Sequence, residues 1–152
     1  MSTLRLTSVP TARPRAIGRR VVRLTAMAAA MASALAIWVI AELALGIDLR
    51  AAAFDGSAET LPIRVQDVLL VSGLLSFAGW GFIALLELLT TRARRAWLVI
   101  AVAALVLSLG TPLAGAGVTL GNRLVLILMH LAVGSVVIPA LYWSSPCREE
   151  NS

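Results

Sequence analysis

Two residues, Glu42 and His130, carry ionisable side chains within otherwise apolar stretches, and an ionisable group in such a setting is by default a candidate site. Glu42 lies five residues before Ile47, about 7–8 Å inside the end of the first apolar segment at helical rise. His130 lies seven residues after Arg123, about 10 Å inside the corresponding end of the fourth. Their similar depth permits a pair if the first and fourth helices are neighbours. In a low dielectric a carboxylate and an imidazole can share a proton that moves with pH, which is the chemistry of a small proton-coupled transporter or permease. The same two groups can instead lock one helix to another by a hydrogen bond worth about 1 kcal/mol. The locking role carries more weight, because few polar residues continue through the opposite leaflet. Ser33, Ser72, Ser76 and Ser108 are among the other hydroxyls within the apolar segments.

Two further charged groups border these positions. Arg123 shares a helix face with Ile127, His130 and Gly134, and is expected to reach Asp67 or Glu42 at the outer boundary, fixing the fourth helix in depth and rotation. At the opposite boundary Glu87 is followed by Arg92, Arg94 and Arg95, while Arg20 and Arg23 precede the first segment. Glu87 is expected to pair with Thr91 or with an arginine, Arg20 and Arg23 included. The arrangement reads first as an interfacial ion network. Its sharper reading is a contact for anionic lipid, since each arginine gains about 1 kcal/mol near a negatively charged leaflet.

The elements that must position these residues are set by four stretches free of Asp, Glu, Lys and Arg. They cover 24–41, 68–86, 96–122 and 124–146, each close to or longer than the roughly 20 residues a helix needs to cross about 30 Å of hydrocarbon. With 59% hydrophobic and 14% charged residues, the chain holds more apolar surface than one soluble core of 152 residues can hide. The expected fold is therefore an all-α membrane protein, an antiparallel bundle of four transmembrane helices spanning about 22–46, 67–89, 96–113 and 123–143. Residues 1–20 read as a disordered basic tail and 144–152 as a second tail. The basic stretch before the first span resembles a signal peptide or, at Arg19-Arg20, a twin-arginine signal, but the apolar segment that follows is too long for a signal core.

The connections give orientation. Alternating spans place ten arginines with the two chain ends and the 88–96 connection, against Arg50, Arg64 and Arg123 on the other side, so both termini are expected in the cytoplasm of a bacterial cell, at the plasma membrane. Trp97, Tyr142 and Trp143 fall at the same boundary, where aromatic rings settle. In the longest connection Asp55-Gly56 separates two short segments, 49–54 and 60–65, and suits the turn of a short β-hairpin.

Packing signals are plainer than chemical ones. Ala28, Ala32 and Ala36 repeat at four-residue spacing on the first span, Ser72, Ser76 and Trp80 on the second, and His130 and Gly134 on the fourth, a pattern that lets backbones approach. Trp38 and Trp80 need partners for their indole N–H groups, and Gly79 and Gly81 leave room for a neighbouring ring. The net charge of +5 lacks the basic face or long basic tail of a nucleic-acid binder, so no nucleic-acid partner is expected. One cysteine, Cys147, excludes an internal disulfide, and with a single histidine it argues against a zinc site within one chain. Neither a nucleophile elbow nor a phosphate loop is present, so no catalytic residue and no cofactor is expected. Haem held by His130 alone, or a membrane enzyme, ranks third among the readings.

The chain resembles a family of uncharacterised four-helix membrane proteins of actinobacteria. The shared features are the arginine-rich start, Gly79-Trp80-Gly81 and Leu85-Leu86-Glu87 in the second span, Arg94-Arg95-Ala96-Trp97 at the third, and the stretch from Met129-His130-Leu131 to Ile138-Pro139 in the fourth. The resemblance implies four spans in a bacterial plasma membrane; it supplies no activity. Taken together, these features lead to a non-enzymatic membrane protein acting through association with a second copy or another membrane protein in the lipid bilayer.

Overall fold

The computed structural model describes residues 13–52, 59–114 and 117–146. Five helices, α1 (Arg13–Val39), α2 (Val65–Leu89), α3 (Ala93–Ser108), α4 (Gly110–Ala114) and α5 (Leu120–Ser144), are accompanied by two short strands, β1 (Arg50–Ala52) and β2 (Thr60–Pro62). Helix α1 begins inside the stretch read as a disordered tail. Pro14 sits in its first turn, where no intrahelical N–H is lost, and alanine and arginine follow as good helix formers.

Four helical segments are long and apolar enough to cross a membrane: Ile17–Ala44, Val65–Leu89, Ala93–Leu113 and Leu120–Ser144, with mean hydropathies of 2.0 to 2.5. The fold is that of a multi-pass membrane protein. Its helices run alternately up and down, and around the bundle α1 lies beside α2, α2 beside α3, α3 beside α5 and α5 beside α1. The outward faces are strongly apolar, with Leu88 83% and Leu107 77% exposed, which suits lipid rather than water as the surrounding medium.

The core runs along the bundle in two connected clusters. Ala30, Ile83, Trp97, Val137 and Leu141 fill the half nearer the chain ends, and Ala34, Val68 and Met129 the half nearer the strands, with Val133 bridging them. The inward stripe of α1 is Arg23, Met27, Ala30, Ala34 and, past the α-helix proper, Ala41. Ala28, Ala32 and Ala36, expected at the helix contacts, face outward instead. Helical geometry cannot place both sets inward, and the large surface of Met27 and the polar group of Arg23 set the phase. Gly79 does make room for a ring: a Cβ there would lie 3.1 Å from Cη2 of Trp97. Gly81 has open space. Trp97 is a core residue, 5% exposed with its indole donating to the Ile138 carbonyl at 3.1 Å, rather than an interfacial ring.

Breaks in the helices have local causes. Pro112 removes the donor that would reach the Ser108 carbonyl, and the helix of the third span is interrupted at Leu109, between α3 and α4. After α1 the chain widens into a π turn over Ile40–Ala44, with the Leu45 amide bonded to the Ile40 carbonyl at 3.0 Å. Gly46, at φ 64°, then reverses the chain so that the Ile47 amide bonds the Ala41 carbonyl at 2.9 Å. The strands form the expected antiparallel hairpin, pairing Arg50 with Pro62, Ala51 with Leu61 and Ala52 with Thr60. The Asp55-Gly56 turn lies outside the described residues. Arg50 clamps the pair, donating to the Thr60 hydroxyl and carbonyl, each at 2.8 Å.

Candidate functional site

Toward the hairpin end Glu42, Asp67, Arg123 and His130 bond backbone groups, while Arg50 also pairs with Asp48 at 3.3 Å. The Glu42 carboxylate, carried on the π turn, accepts from the Leu49 amide at 2.8 Å and so anchors the chain as it enters β1. Asp67 accepts from the Arg64 amide at 2.9 Å, satisfying an unpaired donor at the start of α2, where a negative charge also suits the helix dipole. Arg123 donates to the carbonyls of Leu113 at 2.7 Å and Val118 at 3.2 Å, tying the α4–α5 link to the first turn of α5. It forms no ion pair with Asp67 or Glu42. His130 turns its Nδ1 to the Leu126 carbonyl of its own helix at 2.7 Å, and no hydrogen bond joins it to Glu42, although α1 and α5 are neighbours.

Side-chain pairing is concentrated at the other end. Arg23 lies on the inward stripe of α1 one turn before Met27, and its side chain is only 7% exposed. Its Nη2 meets Oε1 of Glu87 on α2 at 2.5 Å, and its Nε donates to the Ser144 hydroxyl at the end of α5 at 2.9 Å. The Ser145 hydroxyl lies 2.7 Å from the same Glu87 oxygen and 3.5 Å from Nη2. One buried charge pair with two hydroxyls thus joins α1, α2 and α5. The remaining span, α3, is drawn in by Arg94, which donates to the Tyr142 carbonyl at 2.9 Å and places its guanidinium carbon 4.7 Å from the centre of the Tyr142 ring.

Two clefts open on either side of Glu87. The larger, about 260 Å³, is lined by Arg19, Arg20, Arg23, Trp80 and Glu87. The smaller, about 150 Å³, is lined by Glu87, Thr90, Thr91, Ala93 and Pro146. Arg92 and Arg95 stand exposed beside them on the tight α2–α3 turn, where the Thr90 hydroxyl accepts from the Arg92 amide at 3.1 Å. Of the residues singled out from sequence, the structure therefore gathers Arg20, Arg23 and Glu87 around one cleft, sets Arg92, Arg94 and Arg95 nearby, and leaves Glu42, His130, Asp67 and Arg123 in separate roles. Ser144 and Ser145 were missed. Their signal is two hydroxyls directly before Pro146 at the last turn of a span, where a helix end needs polar company.

A family model described as a family of unknown function, DUF6069, matches residues 14–145, which takes in all four spans and the whole lining of the larger cleft. The chain belongs to the DUF6069 family. No curated protein and no solved structure matches it. The matched region begins at the start of α1 and ends at Ser145, so in this family member the Arg23–Glu87–Ser145 junction falls wholly within the family's span.

Proposed function

We propose that the chain is a non-enzymatic integral membrane protein that works through helix-mediated association, first of all with a second copy of itself. The observation that carries this reading is the outward placement of Ala28, Ala32 and Ala36. The bundle builds its own contacts from the neighbouring stripe, so the four-spaced small residues are left on the face toward lipid. In a bilayer, where burial of apolar surface gives no incentive, close backbone approach across small residues is a main source of association.

The reading places the protein in a bacterial plasma membrane, actinobacterial by resemblance, with both termini in the cytoplasm. Support for the orientation comes from charge. Arg19, Arg20, Arg23, Arg92, Arg94 and Arg95 gather at the end where α1 starts and α5 finishes, against Arg50, Arg64 and Arg123 at the hairpin end. Excess arginine marks the cytoplasmic side.

The test is energy transfer between donor- and acceptor-labelled copies in liposomes at fixed protein-to-lipid ratio. Ala32→Leu fills the outward stripe without touching the core and should weaken association by about tenfold, a loss of about 1.4 kcal/mol. Val99→Leu, on the exposed face of α3, should leave it unchanged. A chain that stays monomeric at every ratio, or an Ala32→Leu variant that associates as well as the parent, would overturn the reading.

A further inference from the structure

The larger cleft at the arginine-rich end is lined by four charged side chains and one aromatic ring, that of Trp80. Arg19 and Arg23 are one helical turn apart on α1, and Arg20 lies three residues before Arg23, so all three fall toward the same side. Their charges are not equally committed. Arg23 is held by Glu87, Ser144 and Ser145, whereas Arg19 and Arg20 are exposed and form no hydrogen bond or ion pair with any described residue. The lining therefore carries three guanidinium groups against one carboxylate, a surplus of two positive charges. Trp80 lies seven residues before Glu87 on α2, about 10 Å further along the helix toward the bilayer centre. Its indole N–H also has no partner among the described residues.

The geometry points to a binding site for a phosphate-bearing anion presented by a lipid, with the phosphate between Arg19 and Arg20 at the mouth and the glycerol and upper acyl chain along Trp80. Three features select this ligand. Arginine donors match phosphate oxygens, and the weak hydration of guanidinium suits an interface. The volume of about 260 Å³ accepts a glycerophosphate group but is smaller than the usual site for a drug-sized molecule. A free phosphate would meet the arginines and leave the Trp80 ring unused, so the aromatic part of the lining favours an amphipathic occupant. Glu87 does not repel the phosphate at full strength, because its Oε1 is engaged by both Arg23 and Ser145. The site is independent of the alanine face on α1.

Native mass spectrometry of the full chain, released from detergent containing equal phosphatidylglycerol and phosphatidylcholine, reads the site directly. The parent should retain one phosphatidylglycerol in clear preference to phosphatidylcholine. Arg19→Gln with Arg20→Gln should lower that retention about fivefold for each arginine and about thirtyfold for the pair. Both side chains are exposed and unbonded, so the thermal midpoint should not move. Arg92→Gln with Arg95→Gln, at the same end but outside the cleft, should retain the lipid. Equal retention of the two lipids, or equal loss in the two double variants, would overturn the site in favour of a diffuse basic surface. Displacement of the lipid by millimolar inorganic phosphate would overturn the lipid assignment, leaving a soluble anion as the ligand.

Discussion

Replacing Glu87 by glutamine tests the junction of α1, α2 and α5 most directly, because it removes a charge while keeping nearly the same shape. The guanidinium of Arg23 would remain where its side chain is 7% exposed, with an amide oxygen in place of the carboxylate and the Ser144 hydroxyl as its other acceptor. Breaking a buried pair from one side costs about 3–5 kcal/mol. Two features place this case near the lower end. The Glu87 side chain is 19% exposed, and glutamine still offers an acceptor. A cost of about 3 kcal/mol corresponds to roughly a 150-fold shift in the folding equilibrium and, on the scaling for soluble chains of this size, a fall of about 6–12 °C in the thermal midpoint. Arg23→Gln should cost less, about 1–2 kcal/mol, because the carboxylate it leaves behind keeps the Ser145 hydroxyl and access to water. Arg23→Met with Glu87→Leu should return most of the loss, since a matched apolar pair avoids desolvating either charge. The measurement is unfolding in mixed micelles followed by helical circular dichroism, completed as a double-mutant cycle. If Glu87→Gln moves stability by less than about 0.5 kcal/mol, or the apolar double variant is worse than either single one, the pair is solvated and the junction does not hold the bundle.

Two other substitutions separate rigid from yielding contacts. Gly79→Ala brings a methyl to 3.1 Å from Trp97, whose ring is pinned by its bond to Ile138, so overpacking of about 2 kcal/mol should outweigh the roughly 1 kcal/mol gained in helix propensity. Gly134→Ala looks worse at 2.8 Å, but the atoms it meets first are the two terminal methyls of half-buried Leu105, a side chain that can change rotamer, and stability should stay within about 0.5 kcal/mol. The reverse order in a thermal melt would show that the indole gives way and the leucine does not. For Glu42, glutamine keeps an acceptor for the Leu49 amide and should be close to neutral, whereas alanine orphans that amide at a cost of about 1–2 kcal/mol. Hydrogen exchange at Leu49 should rise in Glu42→Ala and not in Glu42→Gln; unchanged exchange in both would mean that the carboxylate does not anchor the hairpin.

The spans were legible because charge is expensive in hydrocarbon, and the charge-free runs 24–41, 68–86, 96–122 and 124–146 leave few other arrangements. The rotation of α1 was not. Between Ala26 and Ala36 most positions are small, so stripes at 28, 32, 36 and at 27, 30, 34 look alike as packing faces, and the demand of Arg23 for Glu87, together with the larger surface of Met27, breaks the tie. That demand is a contact 64 residues away in sequence, visible as two opposite charges at one boundary but not as a distance. The partners of Glu42 were hidden for a different reason. Its acceptor role depends on the π turn and on Gly46 folding the chain back, and it serves a backbone amide, which leaves no mark on residue type. Ser144 and Ser145 belong with it, since their importance depends on the end of α5 lying against α1.

The contrast between the two ends carries the last step. At the hairpin end Glu42, Asp67, Arg50 and Arg123 each serve main-chain groups that a helix terminus or a short strand leaves without partners. Such groups must be satisfied in or near a bilayer, and side chains that do this hold the chain reversals together. At the arginine-rich end the turns are short, Thr90 and the helix ends need little help, and Arg19 and Arg20 pair with no carboxylate among the described residues. Their charge borders the larger cleft. If charge alone were needed to orient the bundle, it would not have to border a cavity. Its place around Glu87 and Trp80 is what a bound anion would require, and it makes this end, rather than the Glu42 and His130 region, the part of the molecule to probe first.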